Sequence, residues 1–177
     1  MRLFIAIELP KSFCKEVAAL QGAVRAKSAG GRFVPTANFH ITLHFIGESN
    51  DLAGAALAME EASRGIRPFE LHLSRFSTFA RKEGHTAFLS LLGELDELNA
   101  LYESLQSALA ERGFPREQKR FTPHITLGRS VVLPDEALES LATLSPNASM
   151  QVQGIALFES VRRDSRMVYS VLHRTRF

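Results

Sequence analysis

Residues 38–48 read NFHITLHFIGE, and residues 121–130 read FTPHITLGRS. The tetrapeptide His-Ile-Thr-Leu thus occurs twice, at residues 40–43 and at 124–127. Each copy sits in a run rich in β-branched and aromatic residues, and the first run reaches a glycine at Gly47. That composition predicts strands. On a strand, residues i and i+2 share a face and lie about 6.6 Å apart. His40 and Thr42 therefore share one face, and Ile41 and Leu43 the other. The same alternation separates His124 and Thr126 from Ile125 and Leu127. Each copy presents an imidazole and a hydroxyl on one side and an apolar anchor on the other.

The flanking sequence organises these two strands. RLFIAIEL (2–9) reads as a strand. Pro10 opens a helix in which Phe13, Val17, Leu20 and Val24 recur at helical spacing. Asp51 is a plausible N-cap for a helix over DLAGAALAMEEASRGI. FELHLSRF (69–76) alternates as a half-buried strand, and TAFLSLLG (86–93) is a further strand. Leu95, Leu98, Tyr102, Leu105 and Leu109 mark one face of a long helix that stops at Gly113. PDEALESLATL suggests a short helix, and MQVQGIALFES and RMVYSVLHRTRF read as closing strands. The order strand, helix, motif strand, helix, strands is followed by helix, motif strand, helix, strands. This predicts an α+β chain, 1–177, forming a single bilobal domain with a loose internal duplication. Its two pseudo-symmetric lobes would carry mainly antiparallel sheets facing a central cleft, with the helices outside.

Composition narrows the setting. The chain has 177 residues, enough to bury a core without disulfides. Its single cysteine, Cys14, lies in a helical pattern and reads as an idle thiol in a reducing compartment. Glu8 and Pro10 interrupt the short apolar start, which does not resemble a signal peptide. A cytoplasmic location is expected. A net charge of +2 is too small for bulk nucleic-acid binding but suits an anionic substrate held at one local site.

Two histidines and two hydroxyls around one cleft suit phosphoester chemistry. Imidazole can act as acid or base near neutral pH. Hydroxyls can hydrogen-bond the non-bridging oxygens as charge builds there. A metal reading is weaker. His40 and His44 form H-x-x-x-H, but Ile41 stands where a zinc protease needs glutamate. On a strand the two rings would lie roughly 13 Å apart. His44 is expected on the face of His40 and Thr42, at the cleft rim, without a chemical role.

With these motifs the chain resembles the two-histidine (2H) phosphoesterase superfamily. It is most similar to the RNA 2′,3′-cyclic phosphodiesterase family, the LigT-type 2′-5′ RNA ligases. The resemblance runs through MRLFIAIELP, RFVPTANFHITLHFIGE, RFTPHITLGR and LFESVRRDSRMVYSVL. It implies hydrolysis of RNA 2′,3′-cyclic phosphate ends to 2′-phosphomonoesters, without metal, ATP or other cofactor. It makes His40 the proton donor and His124 the proton acceptor, and puts Thr42 and Thr126 at the phosphate. The spacing alone leaves the polarity open, because the two motifs are near equivalents. The alternatives are a 2′-5′ RNA ligase or 2′-5′ phosphodiesterase, and a non-catalytic nucleotide-binding module on the same fold. The expected partner is RNA or a nucleotide ending in a 2′,3′-cyclic phosphate, bound by a monomer away from any membrane.

Other residues are secondary. Arg129, five residues after His124, nominally faces away from it; it reads as a plain surface ion pair or, with a twist or bulge near Gly128, as a residue aimed at the phosphate. Two basic runs, 112–120 (Arg112, Arg116, Lys119, Arg120) and 162–166 (Arg162, Arg163, Arg166), read as solvated faces or as a track for an RNA backbone. Phe79, Phe88 and Tyr169 are candidates for base stacking if exposed. His72, His85 and His173 have no partner motif and read as structural or surface residues.

Overall fold

A computed structural model describes residues 1–177. In chain order it holds β1 (Arg2–Glu8), α1 (Lys11–Lys27), β2 (Gly30–Phe33), a 3-10 turn (Thr36–Asn38), β3 (His40–Glu48), α2 (Leu52–Ala62), β4 (Phe69–Ala80) and β5 (His85–Gly93). α3 (Leu95–Ala110), β6 (His124–Val132), α4 (Asp135–Ala142), β7 (Ser149–Val152), β8 (Gly154–Arg163) and β9 (Arg166–Arg176) follow. The helices and strands expected from periodicity are present, except that one expected closing strand is divided in two. Asp51 caps α2 as its position suggested, its carboxylate accepting the Gly54 N–H at 2.8 Å.

The strands form two antiparallel sheets. One runs β3-β1-β8-β9, and the other runs β2-β6-β5-β4-β7. The motif strands β3 and β6 fall in different sheets and approach each other between them. Helices α2 and α3 pack together behind the first sheet, with α2 resting on β8 and β9. Helices α1 and α4 lie behind the second, on β2 and β4. The α+β architecture expected from the sequence is therefore the observed one.

The chain order is less simple than two successive halves. β2 leaves the first half to pair with β6, and β8 and β9 return from the second half to extend the first sheet. MQVQGIALFES is not one closing strand. It breaks at Gln153 into β7, which pairs with β4, and β8, which pairs with β1. Each sheet is thus assembled from segments distant in sequence, and one apolar core of 36 residues spans both. Ile5, Ile41, Leu71, Leu89, Leu105, Ile125 and Leu127 within it are all fully buried. Burial of such side chains is worth about 1.5–3 kcal/mol each, so the apolar members of both HITL copies anchor the motif strands while their polar members stay accessible.

Candidate functional site

The register of β3 against β1 decides which side chains face the cleft. Glu8 pairs with His40, Ala6 with Thr42, and Phe4 with Phe45. Alternate residues of β1 share a face, so His40, Thr42 and Phe45 do as well. Between Thr42 and Phe45 lies a β-bulge: Ala6 pairs with Thr42, but Ile5 pairs with His44, leaving Leu43 extra. The bulge inverts the alternation. His44 is thereby turned to the back of the sheet, where it is only 2% exposed. Its expected place at the cleft rim is wrong for this reason, and H-x-x-x-H cannot converge on one ion.

β6 repeats the device. Phe88 of β5 pairs with Thr126 and Ala87 with Gly128, so Leu127 is the extra residue. Past it, Gly128 turns to the core and Arg129 to the cleft side. A side chain at Gly128 would meet Val131 Cγ2 at 2.9 Å and the Arg32 carbonyl at 3.2 Å, so only glycine fits the bulge. Arg129 is exposed and takes part in no ion pair. The carbonyl of the bulge residue Leu127 accepts the Val34 N–H at 2.9 Å and the side-chain amide of Gln21 at 2.9 Å. The same amide nitrogen donates to the Val34 carbonyl at 2.7 Å. Gln21, on α1 and 5% exposed, is a buried polar residue amid an apolar face. It secures the backbone that aims Arg129.

The two imidazoles are oriented by backbone carbonyls. His40 Nδ1 lies 2.7 Å from the Asn38 carbonyl, and His124 Nδ1 lies 2.6 Å from the Thr122 carbonyl. A carbonyl only accepts, so in each ring Nδ1 carries the proton and Nε2 offers a lone pair. Asn38 is itself held, donating its amide to the Met167 carbonyl at 2.7 Å. The Nε2 atoms differ. That of His40 accepts the Thr42 hydroxyl at 2.8 Å. That of His124 has no protein partner.

Electrostatics couples the two motifs. Burial holds the His40 pKa below the ordinary imidazole value, the Asn38 carbonyl opposes this, and positive charge on Arg129 and His124 lowers it further. Burial likewise lowers that of His124, against the Thr122 carbonyl, with Arg129 adding to the shift. Arg129 thus acts on both rings, which requires the two motifs to converge. Without an anion between them both rings favour the neutral form; a bound phosphate would raise both values by the same Coulombic logic.

Aromatic walls support each ring. His40 packs 5.1 Å from Phe4 and 5.5 Å from Tyr169, edge to face with the latter. Phe4 in turn stacks on Phe158 at 5.0 Å and 7°. His124 stands edge-on to Phe79 and Phe88, 5.7 and 5.3 Å away. Those two phenylalanines stack on each other at 4.2 Å, and Phe88 is only 5% exposed. They are a wall behind His124 rather than free platforms. The exposed ring is Phe45, 57% accessible on the His40 face and 6.1 Å from Phe4. Strict alternation hides it, because it assigns Phe45 to the back of the strand. The signal available in sequence was its position, five residues after His40 as Arg129 is after His124.

The remaining candidates separate clearly. Arg112 is tied to Glu61 at 2.7 Å and to the Ala108 carbonyl, closing α3, and Arg116 pairs loosely with Glu103. Lys119, Arg120 and the hairpin tip with Arg162, Arg163 and Arg166 are exposed. His72 pairs with Glu70, and His173 with Glu60. Cys14 donates to the Leu9 carbonyl, and burial pushes its thiol pKa up, as suits an unreactive thiol. No three His, Cys, Asp or Glu side chains are grouped as a metal-ligand set. No helix is long and apolar enough to cross a membrane.

Comparison with known proteins places the chain in a family. The sequence profile of the 2′-5′ RNA ligase superfamily matches residues 9–164. The RNA 2′,3′-cyclic phosphodiesterase of Thermotoga maritima is 29% identical over 180 residues, spanning 100% of this chain and 96% of that one. The protein of the same name from Escherichia coli is 30% identical over 176 residues, spanning 98% and 94%. Among solved structures, TT0787 of Thermus thermophilus superposes with a TM-score of 0.80 at 28% identity, over 99% of this chain and 97% of that one. E. coli LigT complexed with 3′-AMP superposes with a TM-score of 0.74 at 28% identity, over 99% and 97%. The chain belongs to the 2′-5′ RNA ligase superfamily.

Proposed function

We propose that this protein is an RNA 2′,3′-cyclic phosphodiesterase, opening the cyclic phosphate with water to leave a 2′-phosphomonoester. One observation carries the reading: two Nδ1-anchored imidazoles, each with a threonine two residues on, flank a cleft that also receives Arg129, whose charge acts on His40. The names of relatives that match end to end support it.

In this reading the cyclic phosphate sits between the motifs. Its non-bridging oxygens accept the hydroxyls of Thr42 and Thr126 and the guanidinium of Arg129. Water attacks phosphorus on the side of His124, whose Nε2 is free to take the proton. The P–O3′ bond breaks, and His40 Nε2–H protonates the departing 3′ oxygen. His40 must therefore enter the cycle protonated. The phosphate's negative charge offsets the Arg129 and His124 charges that otherwise keep His40 neutral. Thr42 then exchanges its bond to His40 for one to the phosphate. The same asymmetry supports the polarity: the ring already paired to a hydroxyl is the donor, and the ring with the free lone pair is the base. Phe45 offers its exposed face to the nucleobase on the His40 side. Ligation is the same ring opening with a ribose hydroxyl in place of water as the nucleophile: its oxygen bonds to phosphorus, the P–O3′ bond breaks, and His40 protonates the departing 3′ oxygen.

The test is turnover of a nucleoside 2′,3′-cyclic phosphate with chelator present. The expected product is the 2′-monophosphate. Binding without turnover would instead support a nucleotide-binding module.

A further inference from the structure

Arg32 lies outside every motif and outside the chemistry just described. It sits on β2, the edge strand beside β6, where its Cα partner in the ladder is Arg129. Directly opposed residues share a face, so two arginines stand side by side on the cleft side. Like charges in that position destabilise a sheet. Both residues are exposed, and neither joins an ion pair. The nearest help is a long contact from Arg32 Nη2 to the Ser130 hydroxyl at 3.4 Å.

The backbone is built to keep them there. The ladder shifts register between Gly30 and Arg32, which fixes the face Arg32 takes. Gly31 has φ +147°, and a side chain on it would meet Val131 Cα at 2.9 Å. Ser130, next to Arg129, adopts φ 51°, a region uncommon for residues other than glycine. Strain and unopposed charge maintained together call for an anion at this place. In the proposed function Arg129 reaches the reacting phosphate, whereas Arg32 lies one strand further out along the same face.

We propose that Arg32 holds the next phosphate of the RNA, the one joining the terminal nucleoside to its 5′ neighbour. Arg32 is then a specificity-determining residue that favours a polynucleotide end over a free cyclic nucleotide. The proposal rests on the cyclic phosphodiesterase reading, which supplies the position of the terminal phosphate.

The experiment compares a nucleoside 2′,3′-cyclic phosphate with a dinucleotide carrying the same end, for wild type and Arg32→Ala. Wild type should prefer the dinucleotide. R32A should lose about tenfold in kcat/KM on the dinucleotide and change less than about twofold on the mononucleotide. The salt dependence of dinucleotide KM should weaken by about 0.7 in log–log slope, the value for one phosphate contact on a single strand. Arg32→Gln should behave as R32A does, separating charge from packing. Affinities for the matching 2′-phosphate products, measured by titration calorimetry, give a second readout independent of turnover. Equal losses on both substrates would put Arg32 at the reacting phosphate and overturn the proposal, as would no loss on either. Wild type that turns over neither substrate refutes the hydrolase reading, and the product affinities then decide on Arg32 alone.

Discussion

The two motif strands share a tetrapeptide and a bulge, and differ in what the bulge delivers. In β3 it buries His44 and exposes Phe45; in β6 it buries Gly128 and exposes Arg129. The first sheet therefore gives the cleft an aromatic face, formed by Phe4, Tyr169 and Phe45 around His40. The second gives it cations, Arg129 on the strand of His124 and Arg32 on the neighbouring edge strand. A common backbone device carries opposite chemistries. Under the proposed function, the comparison teaches that the site is symmetric in its acid–base pair and asymmetric in its recognition, with the base on one side and phosphate charge on the other. Even the supports differ. Behind β6, Gln21 binds the bulge carbonyl directly. Behind β3, Gln106 donates to His44 Nδ1 at 2.8 Å while its carbonyl accepts the Glu117 N–H at 3.0 Å, tying the connector before β6 to the back of β3.

Variants of the two halves test this contrast. The symmetric part comes first: His40→Ala and His124→Ala should each lower kcat by about 10³-fold, the range for a lost general acid or base. Thermal unfolding should stay near wild type, since neither ring belongs to the apolar core. Arg129→Ala should cost about 10²-fold in kcat, as for loss of one group that stabilises developing charge. Phe45→Ala should act on KM, raising it about tenfold on purine substrates while kcat holds, in line with one lost base stack. A kcat loss larger than that of R129A would reverse the assigned division. Gln21→Met should reproduce part of the R129A defect and add little to it in the double variant. It should also lower stability by about 1–3 kcal/mol through the unpaired carbonyl of Val34.

The smallest effect is on stability against pH. Burial holds His40, His44 and His124 below the ordinary imidazole value of about 6.5. The unfolded chain then binds protons that the folded chain refuses. Stability is full above about pH 6.5 and declines as pH falls from there toward the folded-state values. Urea midpoints between pH 7.5 and 5 should show the decline, and a His44→Gln variant should flatten it. Midpoints rising on acidification would contradict the buried neutral rings.

Most of the fold was legible because its strands and helices carry clean periodicities, as in α3 and in Phe69, Leu71 and Leu73 of β4. The two HITL copies were legible as a candidate site because alternation within four residues is reliable. Beyond the fourth residue it failed in both strands, and for one physical reason. A bulge is a property of two paired strands, and one strand's sequence does not display it. Hence Phe45 was hidden, His44 was put on the wrong face, and Arg129 needed a bulge that only Gly128 suggested. Sheet membership was obscured in the same way. Nothing in MQVQGIALFES marks Gln153 as the point where the chain changes sheets. Gln21 escaped notice because Leu20, beside it, fitted the apolar pattern, while the buried position belongs to the glutamine.

The central claim is that His124 activates water and His40 releases the 3′ oxygen of one phosphate. It is tested most directly by identifying the product of a nucleoside 2′,3′-cyclic phosphate, with chelator present, by phosphorus NMR. The account predicts the 2′-monophosphate as sole product, with a kcat/KM profile that is bell-shaped in pH and centred below about 6.5, because both free-enzyme histidines are shifted down. A 3′-monophosphate, or a rate that rises monotonically with pH, would contradict it.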